Sequence, residues 1–411
     1  MGKKITTVVL LCIIGMGLAT TVLGEPLLDS KMYSPAYPGP NEGPASGIYP
    51  LPFTLPTPAT SPGLATLYIP YWAGPVTTAP SSSGSQSQVD TTKSASQMGY
   101  VTRQGDQFWC DGQPFTFAGI CIHYLSAPSF PEEEVEGVVA YLASEGVTAI
   151  RLWLLSSYDM DRFERLLDLG RRYDMRFVVT LVDYYFHKDV SWFKGEGRNE
   201  YLEHARCVVT RFRDRPEIII WELMNEPGCG PEGGSQSCLD TLYRWVAAAS
   251  AEIKVLDPDR PVSIGTMQAG WTEVEKHNYY RMHALDTIDV VSVHKRASRR
   301  PQPELDTAQQ LGKPVLIGEV WSQAYKDNCR PLTSTAIQER ARKIEADLMR
   351  CLEDGVDGYL LWNYSHGAVE KGNGKEYFCS IYGYFPGDPT FAALRQWQEK
   401  NVPSTHRENP Y

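Results

Sequence analysis

From about residue 99 onward, short apolar runs alternate with longer stretches whose apolar residues recur every three or four positions. The runs are Phe115–Ile122, Val147–Leu154, Arg176–Val182, Glu217–Leu223, Val262–Thr266, Ile288–Val293, Val315–Glu319 and Gly358–Trp362. They are continuously apolar rather than alternating, the pattern of parallel strands covered on both faces. Between them, Leu239, Leu242, Tyr243, Val246, Ser250 and Ile253 stripe one helix that stops before Asp257-Pro258, and Ile337, Ala341, Ile344, Leu348 and Cys351 stripe another. Ahead of the first run, Phe108 to Phe115 reads as a hairpin turned by Asp111-Gly112. Strand then helix, repeated over roughly 300 residues, predicts an α/β fold of the closed (β/α)8 barrel type. An open doubly wound sheet is disfavoured, because Gly119-Ile120-Cys121-Ile122-His123 lacks the glycine spacing of a phosphate loop.

The pattern is absent before residue 99. Lys3 and Lys4 precede an apolar run from Ile5 to Leu18, and Val22-Leu23-Gly24 supplies a cleavage-type sequence, so residues 1–24 are expected to be an export signal. An uncleaved membrane tether is the alternative. Residues 25–98 are rich in Pro, Ser, Thr and Gly, with almost no charge and no periodicity. They are expected to form a disordered spacer ahead of a catalytic domain at 99–404. The cysteine count is 9, of which Cys12 would leave with the signal.

Composition narrows the field of partners. The chain has 411 residues and a net charge of −10, with no basic stripe for nucleic acid and no attraction to an anionic membrane. With 10 Trp and 23 Tyr it can offer apolar ring faces to sugars. CxxC and HxxxH spacings are absent, so neither a metal nor any other cofactor is expected.

Two short stretches carry the chemistry. Ile218 to Trp221 leads into Glu222-Leu223-Met224-Asn225-Glu226-Pro227 at the fourth strand end, and Leu316-Ile317-Gly318 leads into Glu319-Val320-Trp321 at the seventh. A barrel gathers its strand ends at one rim, where active sites form. Two carboxylates there are what hydrolysis of a glycosidic bond with retention requires, at a separation of about 5–5.5 Å.

The Asn225-Glu226-Pro227 and Gly318-Glu319 pair resembles clan A of the glycoside hydrolases, and most closely family 5 in its mannanase-like branch. The resemblance spans about residues 100–400. It implies Glu226 as general acid/base and Glu319 as nucleophile of a retaining enzyme, with Asn225 on the sugar 2-hydroxyl. It also implies Arg151 supporting the nucleophile, His294 after the sixth strand, and Trp362 as floor of the sugar site. His123, Tyr124 and the Asp183-Tyr184-Tyr185 cluster reach the same rim as glycan contacts, and Trp192 and Trp271 are candidate stacking platforms. One position departs from the family: Arg296 stands where a tyrosine usually holds the nucleophile. Cys229 and Cys238 bracket a Gly-rich loop and are expected to form a disulfide, with Cys329 and Cys379 a second candidate pair. The implied substrate is a polysaccharide such as β-mannan, cleaved internally by a secreted enzyme. A β-1,4-glucanase, an exo-acting β-glycosidase, and a barrel that binds glycan without cleaving it are the other readings.

Overall fold

The computed structural model describes residues 98–401 apart from 129, 156–159, 184–189, 230–233, 327–330 and 366–379. All of these lie in the compact unit Ser87–Tyr411. The export segment, the spacer, Tyr184, Tyr185, Cys329 and Cys379 fall outside the described residues.

Strands β1 (Val101–Gln104), β2 (Gln107–Cys110) and β3 (Gln113–Phe115) form a small antiparallel sheet. Its β2–β3 turn is the expected Asp111-Gly112, at φ 50° and 74°, the two left-handed residues that a tight hairpin demands. The sequence pattern gave no sign of β1. The barrel follows as β4 (Phe117–Cys121), β5 (Ala149–Trp153), β6 (Arg176–Thr180), β7 (Ile218–Glu222), β8 (Val262–Ser263), β9 (Val291–Arg296), β10 (Val315–Trp321) and β11 (Gly358–Leu361). Helices separate them: α1 (Glu132–Ser144), α2 (Met160–Arg172), α3 (Glu196–Phe212), α4 (Gln236–Leu256), α5 (Glu273–His283), α6 (Gln302–Leu311) and α7 (Ser334–Glu353), with α8 (Phe391–Asn401) last. The parallel ladder runs β8-β7-β6-β5-β4-β11-β10-β9. A bridge from Ser263 to Val290 joins its two ends, so the sheet closes as a (β/α)8 barrel.

The strands alternate between two apolar layers, as continuous apolar runs require. Ala118, Ile120, Ile150, Leu152, Phe177, Val179 and Ile317 pack outward under the helices. Phe117, Cys121, Ala149, Val178, Ile220, Val290, Leu316 and Leu360 fill the barrel interior together with Val101 and Phe108 of the small sheet. Towards the C-terminal end the buried positions turn polar, with Arg151, Thr180, Glu222, Ser263, Ser292 and His294 all buried. The change from oil to charge along one axis positions the site.

Helix ends follow their local chemistry. Ser235 caps α4, Thr333 caps α7, and Thr272 with Glu275 forms a capping box on α5. At the other end of α5, the Lys313 ammonium donates to the carbonyls of His283, Leu285 and Ile288, at 2.5, 2.9 and 2.6 Å. In α7 the buried face includes Arg340 and Asp347. Arg340 pairs with Asp388 and stacks over Tyr384, while Asp347 pairs with Lys295.

His283 is buried and neutral. One ring nitrogen lies 2.9 Å from the Tyr279 carbonyl, which only a donor can face, and the other accepts from the Ser292 N–H. Burial pushes its pKa down to about 3 from 6.5. Below pH 6.5 the unfolded chain takes a proton that the fold refuses, so stability is lost as pH falls towards 3. His123, also pushed to about 3, acts in the same sense. Asp357, pushed up to about 7 by burial, acts in the opposite sense. The difference between variants therefore isolates one group: His283→Gln is expected to remove about 1.4 kcal/mol per pH unit from the acid-side fall in urea-unfolding free energy. An unchanged slope between pH 6 and pH 4 would contradict this assignment.

Candidate active site

At the polar end of the barrel stands Arg151, fully buried, at an inward position of β5. Its Nε and Nη2 donate to Glu222 Oε1 at 2.8 and 2.6 Å, and Nη2 also reaches Asn225 Oδ1 at 2.8 Å. Nη1 donates to Glu319 Oε1 at 2.8 Å. Glu222 accepts in addition from the hydroxyls of Thr180 and Ser263, at 2.8 and 3.3 Å. Burial works against the Arg151 cation, but Glu222 and Glu319 more than offset it and push its pKa up.

Glu319 reaches this cluster through an irregularity in β10. Its pairing with β9 passes from Ile317–Val293 directly to Glu319–His294, leaving Gly318 as the extra residue of a bulge. Only glycine fits there, because a Cβ would lie 2.9 Å from His294 Nε2. Glu319 Oε1 takes the Arg151 bond, and Oε2 accepts from the Trp321 indole N–H at 3.2 Å. Trp321 is two residues along the same strand and therefore on the same face. Burial pushes the Glu319 carboxyl up; His294, Arg151 and the Trp321 N–H pull it down, Glu226 pushes it up, and the net direction is up. Arg151 alone thus does not set its charge.

Glu226 follows β7 by four residues and sits at φ 47°, a left-handed conformation costing on the order of 1 kcal/mol for a side-chain-bearing residue. Its backbone is fixed by neighbours: Asn225 N–H donates to Val182 O, and Glu226 N–H to Gly265 O, both at 2.8 Å. Gly265, at φ 85°, must be glycine, since a Cβ would lie 2.1 Å from Met224 O. So placed, Glu226 Oε1 lies 2.8 Å from His294 Nδ1, which is itself 3.7 Å from Glu319 Oε1. One ligand atom from each of Glu226, His294 and Glu319 lies within 4.8 Å of the others. That donor set resembles a metal site, yet its neighbour Arg151 is a fixed cation. The separation suits two carboxyl groups attacking one bond.

The remaining sequence candidates divide. Asn225 is fixed, its Oδ1 facing Arg151 and its Nδ2 donating to Asp183 at 3.1 Å. His123 stacks on Trp362 at 5.3 Å and touches Trp153 at 4.6 Å, forming an aromatic wall. Tyr124 is buried against Phe130 and belongs to the packed core. Trp192 packs among Phe193, Tyr201 and Trp245, whereas Trp271 is 74% exposed. Cys229 and Cys238 form a disulfide with Cα atoms 5.9 Å apart. Arg296 points to solvent and its neighbour Lys295 is buried on Asp347, so neither occupies the place of a nucleophile-holding tyrosine.

Sequence reasoning missed Glu222 and Trp321 as parts of the cluster. Glu222 left a signal: an acid closing a run of Ile218, Ile219, Ile220 and Trp221 must be buried, and it needs a cation from an equally buried strand. Arg151 in Ala149-Ile150-Arg151-Leu152 is such a cation. The indole of Trp321 left none.

Residues 110–367 match the model of Cellulase (glycosyl hydrolase family 5). Mannan endo-1,4-beta-mannosidase 7 of Oryza sativa subsp. japonica is 24% identical over 352 residues, covering 67% of this chain and 91% of that protein. Mannan endo-1,4-beta-mannosidase 3 of Arabidopsis thaliana is 24% identical over 339 residues, 61% of this chain and 80% of its own. In three dimensions the endo-1,4-beta-mannanase of Rhizomucor miehei superposes with a TM-score of 0.57 at 17% identity, over 73% of this chain and 99% of that one, a likeness of fold.

Arg151 is the countercharge of two buried carboxylates. Arg151→Met is expected to destabilise the protein by about 3–5 kcal/mol, measured by chemical denaturation at pH 7. A loss below about 1 kcal/mol would mean that Glu222 and Glu319 do not depend on it.

Proposed function

Because the chain belongs to glycosyl hydrolase family 5 and is therefore a glycoside hydrolase acting on a polysaccharide, we propose that it cleaves internal β-1,4 bonds of β-mannan with retention. The observation that carries the proposal is the pair Glu226 and Glu319, bridged by His294 and within 4.8 Å. The substrate is drawn from the curated relatives, whose names are those of mannan endo-1,4-beta-mannosidases.

In the proposed reaction the Glu319 carboxylate attacks the anomeric carbon as Glu226 protonates the departing glycosidic oxygen, giving a glycosyl ester on Glu319. A water then loses a proton to Glu226 and attacks the same carbon, which frees Glu319. The two acids need opposite protonation states at the start, and their surroundings differ accordingly. Glu319 receives the Arg151 and Trp321 donors, while Glu226 faces His294 at a more exposed position. Asn225 has Oδ1 turned to Arg151, so the Nδ2 hydrogen not engaged by Asp183 is left for a sugar hydroxyl. The wall of His123 and Trp362 supplies a flat apolar face for the ring. Trp321 takes the part of the absent tyrosine as the second donor to Glu319.

The N-terminal Lys3-Lys4 and apolar run support export, with residues 25–98 as a spacer. A mature N-terminus near Glu25 in the medium is the expected result, and intact Met1 in membranes would contradict release. Among the described residues no helix is long and apolar enough to cross a membrane.

Reducing-sugar release from β-mannan, soluble β-glucan and xylan tests the reaction. Wild type is expected to act on mannan, Glu319→Ala to lose that activity, and Glu226→Gln to lose roughly 10²–10⁴-fold. Glu319→Ala retaining activity would overturn the assignment of the nucleophile. Wild-type activity on β-glucan alone would replace the substrate with the runner-up. The acid limb of kcat/KM reports loss of the ionised nucleophile as pH falls. Since Glu319 is pushed above 4.5, that limb is expected above 4.5. Trp321→Phe deletes a donor that favours the ionised form, so the limb should move higher still. An unmoved limb would remove Trp321 from this role.

A further inference from the structure

The alternation of β9 says where Arg296 stands. His294 faces the catalytic cluster, with Nδ1 2.8 Å from Glu226 Oε1. Lys295 faces the other way and is buried on Asp347 of α7. Side chains alternate along a strand, so Arg296 returns to the face of His294, about 6.6 Å nearer the barrel mouth. Its register partner in β10 is Trp321, just as the partner of His294 is Glu319. Trp321 lies on the face of Glu319 and donates to it. Arg296 and Trp321 are therefore neighbours one step further out than His294 and Glu319. His294 and Trp321 are buried while Arg296 is exposed, so the site opens to water at this level.

The arginines beside it are engaged. Arg299 pairs with Glu304 at 2.7 Å and Arg300 with Asp354 at 2.5 Å. The Arg299 N–H donates to Arg296 O at 2.9 Å, which fixes the turn where the chain leaves β9. Among the described residues the Arg296 guanidinium makes no ion pair and no hydrogen bond. At an outward position such a cation would need no explanation. At an inward position of a barrel strand it looks onto whatever occupies the mouth.

Charge and shape suggest what that is. The chain carries −10 overall, and Glu222, Glu226, Glu319 and Asp183 outnumber the one cation Arg151 in the cluster. An acidic glycan would be repelled from such a surface unless a local cation met it. A guanidinium offers a planar carboxylate two parallel N–H bonds, a geometry that an ammonium cannot match. We propose that Arg296 is a specificity-determining residue that recognises a carboxylate carried by the glycan, so that chains bearing acidic sugars are favoured over their neutral counterparts. This rests on the glycosidase reading above and adds to it a preference for charge.

The test uses neutral β-mannan and the same mannan lightly oxidised at C6 to carboxylates, with wild type, Arg296→Gln and Arg296→Lys. The matching pair made from β-glucan would serve if wild type prefers glucan. Arg296→Gln is expected to lower the ratio of kcat/KM on oxidised to neutral polymer by about 2- to 5-fold, the size of one exposed ion pair, with the neutral rate unchanged. Arg296→Lys should keep part of the ratio, and the wild-type ratio should shrink in high salt. A ratio that Arg296→Gln leaves unchanged, or an equal fall on both polymers, overturns the inference while the glycosidase reading stands. A larger Arg296-dependent effect on sulfated mannan than on the carboxylated polymer would replace the carboxylate with a sulfate ester. Failure of the folded wild type to cleave either neutral polymer defeats the glycosidase reading itself.

Discussion

The polar half of the barrel depends on one buried cation. Arg151 has no access to water, and two of its partners, Glu222 and Glu319, are carboxylates buried almost as completely. Any one of the three alone would be expelled or neutralised, because a charge in such surroundings costs several kcal/mol. Together they fix each other's positions. Glu222 serves as the immobile counterion, steadied by Thr180 and Ser263, and Arg151 carries that fixed point across to Glu319 and Asn225. Glu319 is thus held by a chain of hydrogen bonds that begins at Glu222 and passes through Arg151.

Around this core the backbone does the aiming. Three departures from regular geometry converge there: the bulge at Gly318, the left-handed Glu226, and the turn at Gly265. Each lets one strand end present its side chain at a height the ladder alone would not allow. The apolar layers beneath, from Phe108 and Phe117 to Leu360, make the local strain affordable, since they bind the strands whether or not the rim is relaxed.

How much of this could be read from the sequence follows from which forces have a local signature. The eight runs were legible because burial on both faces writes itself as consecutive apolar residues, and the α4 stripe because helical spacing does the same. The carboxylates at 226 and 319 were legible because polar residues closing an apolar strand are costly without purpose. The length of β8 was not, since Ile264 to Thr266 continues the apolar run but leaves the ladder after Ser263. Tyr124 was placed at the rim because its neighbour His123 belongs there, and the chain then turns it against Phe130. The Trp321 bond to Glu319 depends on a bulge in the strand, and a bulge has no periodicity to betray it.

The closure of the barrel has a further implication. Between β8 and β9 the ladder consists of a single bridge, from Ser263 to Val290, while β9 and β10 share six pairs. Ser292 stitches this seam from one side, its hydroxyl accepting from the N–H groups of Gly265 and Thr266 at 3.0 and 3.2 Å. Glu226 stands on one bank of the seam, and His294 with Glu319 on the other. The gap between the two acids is therefore spanned at the barrel's most thinly paired joint, and the Ser292 hydroxyl is one of the groups that hold that joint together.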